Sequence, residues 1–288
     1  MRHQRTLAGP CTVAGFGYWS GRDIQVEFRP AAPHAGIVFV RSDLSPPRRI
    51  VADVGQRIEV PRRTTLAAEG AQVEMVEHVL AALYGLAIDN CEVWVNGSEL
   101  PGLDGSCQPL VAGLDAAGIV QQSALRRRLV VTDITRVGDD ESWVEARPSR
   151  TTGLTIKYRL DYGSNSPIGR QTIELKVTPN VFRTALASAR TFILAEEADW
   201  LRQRGLGQRV TNQDLLVFGP DGPIDNTLRM EDECVRHKAL DLIGDLALAG
   251  CDLVGHFIAH RSGHRLNAEL VKVLLHEGRI EEGLRKTA

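Results

Sequence analysis

A weak internal repeat constrains this chain more than any other feature, because a sequence that carries one unit twice must fold as two like units packed together. Val26-Glu27-Phe28-Arg29-Pro30 returns as Val144-Glu145-Ala146-Arg147-Pro148. At the same offset of 118 positions (26 to 144), Arg41 and Asp43 are matched by Arg159 and Asp161. Apolar residues alternate at period two through Ile24, Val26 and Phe28, then through Leu154, Ile156, Tyr158 and Leu160, and again through Ile173, Leu175 and Val177. That period predicts an antiparallel sheet at the start of each half. Further on, Val76, His78, Leu83 and Gly85 are echoed by Val235, His237, Leu242 and Gly244 at an offset of 159 (78 to 237). Val76, Val79, Leu80, Leu83 and Leu86 fall on one helical face, and Val235, Leu242, Ile243 and Leu246 do much the same. The growth in offset, 159 less 118, predicts about 41 extra residues in the second half, placed near 181–213. A polar and basic stretch at 121–128 marks the join, giving domains 1–124 and 125–288. The fold class expected is α+β, with two duplicated domains, each a mainly antiparallel sheet packed with helices.

A chain of 288 residues accommodates two such domains. Its formal net charge of −2 provides no basic field for a nucleic-acid partner, so a small molecule is expected instead. Five cysteines, without a C-x-x-C pair, read as a reducing compartment. The first residues lack an apolar signal core, and the longest uncharged apolar run, Val79 to Ile88, is too short to span a bilayer. These features predict a cytoplasmic protein.

Asp241 follows His237 by four residues, which places both side chains on one face of a helix, and Asp245 stands a further turn along. His-x3-Asp alone is common and usually marks a solvated helix face. The repeat adds His78 at the position equivalent to His237, and two imidazoles with one carboxylate match the three-ligand set of hydrolytic zinc sites, which leave a position for water. Glu77, next to His78, is the candidate base, although no His-Glu-x-x-His motif occurs. His264, in the glycine-flanked loop Arg261-Ser262-Gly263-His264, is a candidate acid, with Asp245 as the carboxylate that would raise its pKa. Lys238 either attracts a phosphate or is merely solvated. Leu103-Asp104-Gly105-Ser106 reads as a structural turn. His3, His34, His256, His260 and His276 have no partner pattern and read as packing or surface residues.

With these residues assembled, the chain resembles the bacterial UDP-3-O-acyl-N-acetylglucosamine deacetylases almost end to end. The resemblance is carried by Gln4-Arg5-Thr6-Leu7, Val76-Glu77-His78, Ile88-Asp89-Asn90, Ile168-Gly169-Arg170-Gln171, Ala189-Arg190-Thr191-Phe192, the stretch from Glu231 to Leu246, and Ser262-Gly263-His264-x-Leu266-Asn267. It implies two sheet-and-helix domains whose helices meet in the middle, with an insert in each. It also implies hydrolysis of the N-acetyl group of a UDP-linked acylated amino sugar in lipid A synthesis. Carried over by position, His78, His237 and Asp241 become the Zn2+ ligands, Glu77 the general base, and His264 the general acid supported by Asp245. Thr191 becomes an oxyanion donor, Phe192 the start of an acyl passage, Lys238 a contact for the diphosphate side, and Tyr162 an aromatic near the uridine. A monomer with at most peripheral membrane contact is expected.

The chain departs from the family pattern at Ile193, where glycine is common, and at Gln208, where a small glycine-rich turn is expected. It departs also at Ser166, Ser142 and Cys234, which replace histidine, a basic residue and an aromatic. These changes imply an altered acyl length or a related amino sugar. The rival reading from another class is a regulatory protein that keeps the metal only as a structural staple.

Overall fold

A computed structural model describes residues 1–282. In the first half the strands run in the order Cys11–Phe16, Asp23–Pro30, Cys91–Val95, Ile37–Arg41, Arg48–Val51. Only the step between Cys91–Val95 and Ile37–Arg41 is parallel. The second half repeats the path as Thr135–Gly138, Trp143–Arg147, Asp252–His260, Leu154–Asp161, Arg170–Lys176, with the parallel step at the same place. The expected α+β duplication is therefore present in the topology as well as in the sequence. Val26 pairs with Val95 and its repeat-mate Val144 with Ala259, but Arg41 also pairs with Val95 whereas Arg159 pairs with His260, so strand order is kept while register shifts by one residue across the parallel step. Arg128–Val130 and Arg279–Glu281 extend the second sheet.

The chain around the join forms a ribbon, Ile119–Leu125 antiparallel to His3–Leu7. An ion cluster lies beside it. Arg2 contacts both Asp89 at 2.6 Å and Asp252 at 2.7 Å, and Arg126 lies 3.0 Å from Asp89, so acids from both halves share the same guanidinium groups.

Two central helices, Glu77–Gly85 and Glu233–Leu246, pack against each other between the sheets. Gly244 permits the approach: a Cβ there would lie 2.1 Å from the Glu77 carbonyl oxygen. The sequence suggested a one-sided apolar stripe on each helix. Instead, every residue of Glu77–Gly85 except Tyr84 is buried, and every residue of Glu233–Leu246 except Arg236 and Lys238. A helix pressed between a sheet and another helix has no solvated face, so His78, His237, Asp241 and Asp245 are buried polar residues that need partners. Ala87, at φ 57°, turns the chain out of the first helix toward the strand Cys91–Val95.

Each half carries an insert. The first is a small antiparallel sheet of Arg57–Ile58, Thr65–Ala68 and Ala71–Glu74. The second joins Phe192–Leu194, Leu216–Gly219 and Gly222–Pro223 around the helix Ala195–Arg202. Among the described residues, no helix is long and apolar enough to cross a membrane.

Candidate metal centre and its cavity

The two central helices bring the repeat-related histidines together. The ring centroids of His78 and His237 lie 5.0 Å apart, with planes at 89°. Asp241, one turn beyond His237, points Oδ1 at both rings, 3.5 Å from His78 Nε2 and 3.4 Å from His237 Nε2. One donor atom from each of the three residues lies within 4.8 Å of the others, and all three residues are buried.

The surroundings prepare these groups as ligands. His237 Nδ1–H donates to the Ala189 carbonyl at 3.2 Å, which leaves the Nε2 lone pair facing Asp241 and His78. Burial, only partly opposed by Asp241, pulls the His237 pKa down to about 4, so the ring is neutral at physiological pH. Burial would raise the pKa of Asp241, but Lys238 together with His237, His78 and His264 outweighs it and holds the carboxylate well below its usual range. Lys238 Nζ donates to Asp241 Oδ2 at 2.7 Å, on the side of the carboxylate away from the imidazoles. Two imidazole nitrogens and an ionised carboxylate, brought this close, with His237 Nδ1 and Asp241 Oδ2 tied down, fit a divalent metal of the zinc type.

Glu77 and His264 lie in the same cavity, and each is tied to a partner. Burial raises the pKa of Glu77, with His264 and His78 in opposition. Glu77 Oε2 accepts from the backbone N–H of Thr64 at 3.0 Å, and Oε1 has no hydrogen bond among the described residues. His264 Nδ1–H donates to Asp245 Oδ2 at 2.9 Å. Burial alone would lower the His264 pKa, yet the surrounding carboxylates, Asp245 foremost and then Glu77 and Asp241, raise it to about 9, so the ring carries a proton at neutral pH. Asn267 Nδ2 donates to the same Asp245 oxygen at 2.8 Å and is itself fixed by the Ser262 hydroxyl.

Thr191 sits where a strand of the second insert meets the turn Asp104-Gly105-Ser106. Its amide and hydroxyl both donate to the Gly105 carbonyl, at 2.8 and 3.1 Å, and the hydroxyl also lies 3.2 Å from His237 Nε2. The turn is thus structural, as expected, but what it supports is the site. Gly105 is at φ 80°, and a Cβ on it would meet the Asp214 carbonyl oxygen at 2.8 Å. Phe192 stands edge-on to Tyr162 at 5.8 Å and to His237 at 6.2 Å, linking the outer wall to the centre.

The cavity encloses about 1030 Å³, at the upper end of the ~300–1,000 Å³ usual for ligand pockets. Part of its wall is polar, including Asp161, Lys238, Arg261 and Arg265. Another part is apolar, where Tyr18, Ala198, Leu215 and Val217 cluster with Ile193 and Val210. All ten residues singled out in the sequence line this cavity except Asp245, which reaches it through His264. Of the departures from the family pattern, Ile193 lines the apolar wall, Gln208 Nε2 donates to the Arg202 carbonyl, and the Ser142 hydroxyl donates to the Arg261 carbonyl.

Sequence reasoning missed Thr64, Ala189 and Cys107, which hold functional groups through the main chain or from a distant segment. The Cys107 thiol donates to the His78 carbonyl at 3.2 Å. It also missed the buried pair Arg190–Glu233, at 2.7 Å, which ties the segment bearing Thr191 to the start of the second central helix.

Comparison with known proteins agrees with this geometry. A family model described as UDP-3-O-acyl N-acetylglycosamine deacetylase matches residues 4–276. The chain is 40% identical over 275 residues to the UDP-3-O-acyl-N-acetylglucosamine deacetylase of Thermosynechococcus vestitus, covering 94% of this chain and 93% of that protein. It is 38% identical over 275 residues to the protein of the same name from Brucella ovis, covering 95% of each. The chain belongs to the UDP-3-O-acyl N-acetylglycosamine deacetylase family.

Proposed function

We propose that this protein hydrolyses the N-acetyl group of UDP-3-O-acyl-N-acetylglucosamine, releasing acetate and the free sugar amine in lipid A biosynthesis, with a zinc ion held by His78, His237 and Asp241. The observation that carries this reading is the meeting, in one cavity, of a three-donor cluster with a buried carboxylate and a carboxylate-backed imidazole. Zinc, when bound, supplies Lewis acidity that polarises an amide carbonyl and acidifies water.

The remaining roles belong to the chain's own residues. Glu77 accepts the proton of the attacking water at Oε1, since Oε2 is occupied by Thr64. His264, held by Nδ1 on Asp245, presents Nε2 and gives its proton to the departing nitrogen. The Thr191 hydroxyl, beside His237, turns its single proton from the Gly105 carbonyl to the oxygen on which negative charge develops. Lys238 has two tasks: it neutralises the far oxygen of Asp241 and presents positive charge to the diphosphate side of the substrate. Tyr162 and Phe192 offer crossed aromatic faces for the nucleotide end and the start of the acyl chain. We place the enzyme in the cytoplasm as a monomer, with the join between its two domains near residue 124.

The test is zinc content measured together with acetate release from the acylated UDP sugar. Stoichiometric zinc with release supports the reading, and a zinc-loaded protein that releases no acetate from any acylated UDP-amino sugar would sink it.

A further inference from the structure

Thr64 belongs to the first insert, just ahead of the strand Thr65–Ala68, and is fully buried. All its polar groups are engaged. Its N–H donates to Glu77 Oε2 at 3.0 Å, its carbonyl accepts from the Val76 N–H at 3.3 Å, and its hydroxyl donates to Asp245 Oδ1 at 2.6 Å. Glu77 lies on the central helix of the first half and Asp245 on that of the second. We propose that Thr64 is a positioning residue for the reaction, setting the base carboxylate with its amide and the carboxylate behind the acid with its hydroxyl.

The hydrogen bonds around Asp245 show why the hydroxyl matters. Asp245 is completely buried. Oδ2 already accepts from His264 and Asn267, whereas Oδ1 accepts only from Thr64 among the described residues. A buried carboxylate oxygen without a donor is costly, and a short O–H···O⁻ bond is among the stronger kinds available. Without the hydroxyl, the carboxylate can relieve its orphaned oxygen only by rotating, and rotation turns Oδ2 off the His264 ring. The backbone is bent to make this arrangement. Met75 adopts φ 60°, a left-handed conformation uncommon for a side chain of its size, and so delivers the Val76 N–H to the Thr64 carbonyl immediately before Glu77.

This inference rests on the roles proposed above for Glu77 and for the Asp245–His264 pair. The experiment compares zinc-loaded wild type, Thr64→Val and Thr64→Ser for kcat, KM, zinc content and melting temperature. Thr64→Val keeps shape and amide while losing the hydroxyl. It is expected to lower kcat about 10- to 100-fold, the loss of one hydrogen bond to a buried charge, with zinc content and KM little changed. Thr64→Ser is expected to recover kcat to within a few-fold of wild type. Equal kcat in wild type and Thr64→Val overturns the proposal, and so does equal loss in Thr64→Val and Thr64→Ser. Should Thr64→Val fail to fold, Thr64→Ala removes the hydroxyl without setting a methyl group against the carboxylate and is read the same way. A wild type that binds zinc but releases no acetate counts instead against the deacetylase reading itself.

Discussion

Asp245 Oδ2 and His264 Nδ1 lie 2.9 Å apart at the junction of the second central helix and the helix His264–Glu277 that follows it. Burial works against a charged imidazole, and this carboxylate, with Glu77 and Asp241 behind it, overcomes it, raising the pKa from an ordinary 6.5 to about 9. A group whose pKa is raised on folding stabilises the fold in its protonated form. That stabilisation is complete below the unfolded value and is lost as the pH climbs through the folded one. In metal-free protein, the melting-temperature gap between wild type and His264→Gln should therefore be widest below about pH 6.5 and should shrink toward pH 9. A gap that stays constant over that window would show that the pair is not ionised as described.

Removing a proposed metal ligand and removing the proposed base should have separable effects. His237→Ala or Asp241→Ala takes a donor out of the three-residue cluster and should lower zinc content. Each should also abolish the rise in melting temperature that zinc gives the wild type, an increment of about 4 kcal/mol when the metal is at ~1,000 times its Kd. Asp241→Ala should be the more damaging of the two, because it also leaves the half-buried Lys238 ammonium without its carboxylate. Metal analysis and thermal melts with and without a chelator decide the matter.

Glu77→Gln, by contrast, keeps the Thr64 amide near an oxygen and removes only the capacity to take a proton. Turnover should fall by a factor on the order of 10² or more while zinc stays bound. Zinc loss in this variant, measured on the same preparation as acetate release, would mean that Glu77 supports the metal and not the proton transfer.

These residues differ in how far the sequence discloses them. His237 and Asp241 are four apart on one helix, and His78 is found by the repeat, so local periodicity and duplication suffice to pick out the proposed ligands. The Asp245–His264 pair was also within reach, since each residue type suggests the other. Thr64 was not. Nothing marks it among the neighbouring Arg63 and Thr65, because its role is set by where an insert strand crosses two helices distant in sequence. The burial of the central helices was misread for a related reason. Periodicity reports one apolar face, but whether the opposite face meets water or another helix depends on packing, here on the absence of a side chain at Gly244.

That contact can be tested directly. Gly244→Ala gains about 1 kcal/mol of helix propensity. The new Cβ, however, would fall 2.1 Å from the Glu77 carbonyl oxygen and 2.8 Å from its carbon, and a backbone neighbour cannot rotate aside. The central helices must separate, and overpacking of this kind costs about 1–3 kcal/mol or more. A net loss of stability is expected in urea denaturation, along with lower turnover, because the shifted segment carries Glu77, the proposed base. A variant more stable than wild type would show that the helices are not in the close contact described.

The last prediction concerns the apolar wall of the cavity, where Tyr18 is packed with Ala198, Leu215 and Val217. Its ring lies against Gly102, on which a Cβ would come within 2.0 Å of the ring. Its hydroxyl donates to the Asp214 carbonyl, with the Leu103 carbonyl 3.3 Å away. Held on both face and tip, the ring is a fixed boundary and cannot swing aside for a longer chain. Tyr18→Leu should open that boundary, and each methylene admitted to an apolar pocket is worth about 1–3 kcal/mol of discrimination. The ratio of kcat/KM for long over short acyl chains should then rise on the order of 10-fold. Tyr18→Phe should leave the ratio near wild type, because the ring remains and only the hydroxyl's hydrogen bond is lost. A chain-length profile that is identical in wild type and Tyr18→Leu would place the end of the acyl passage elsewhere in the wall, with Ile193 and Val210 the next residues to change.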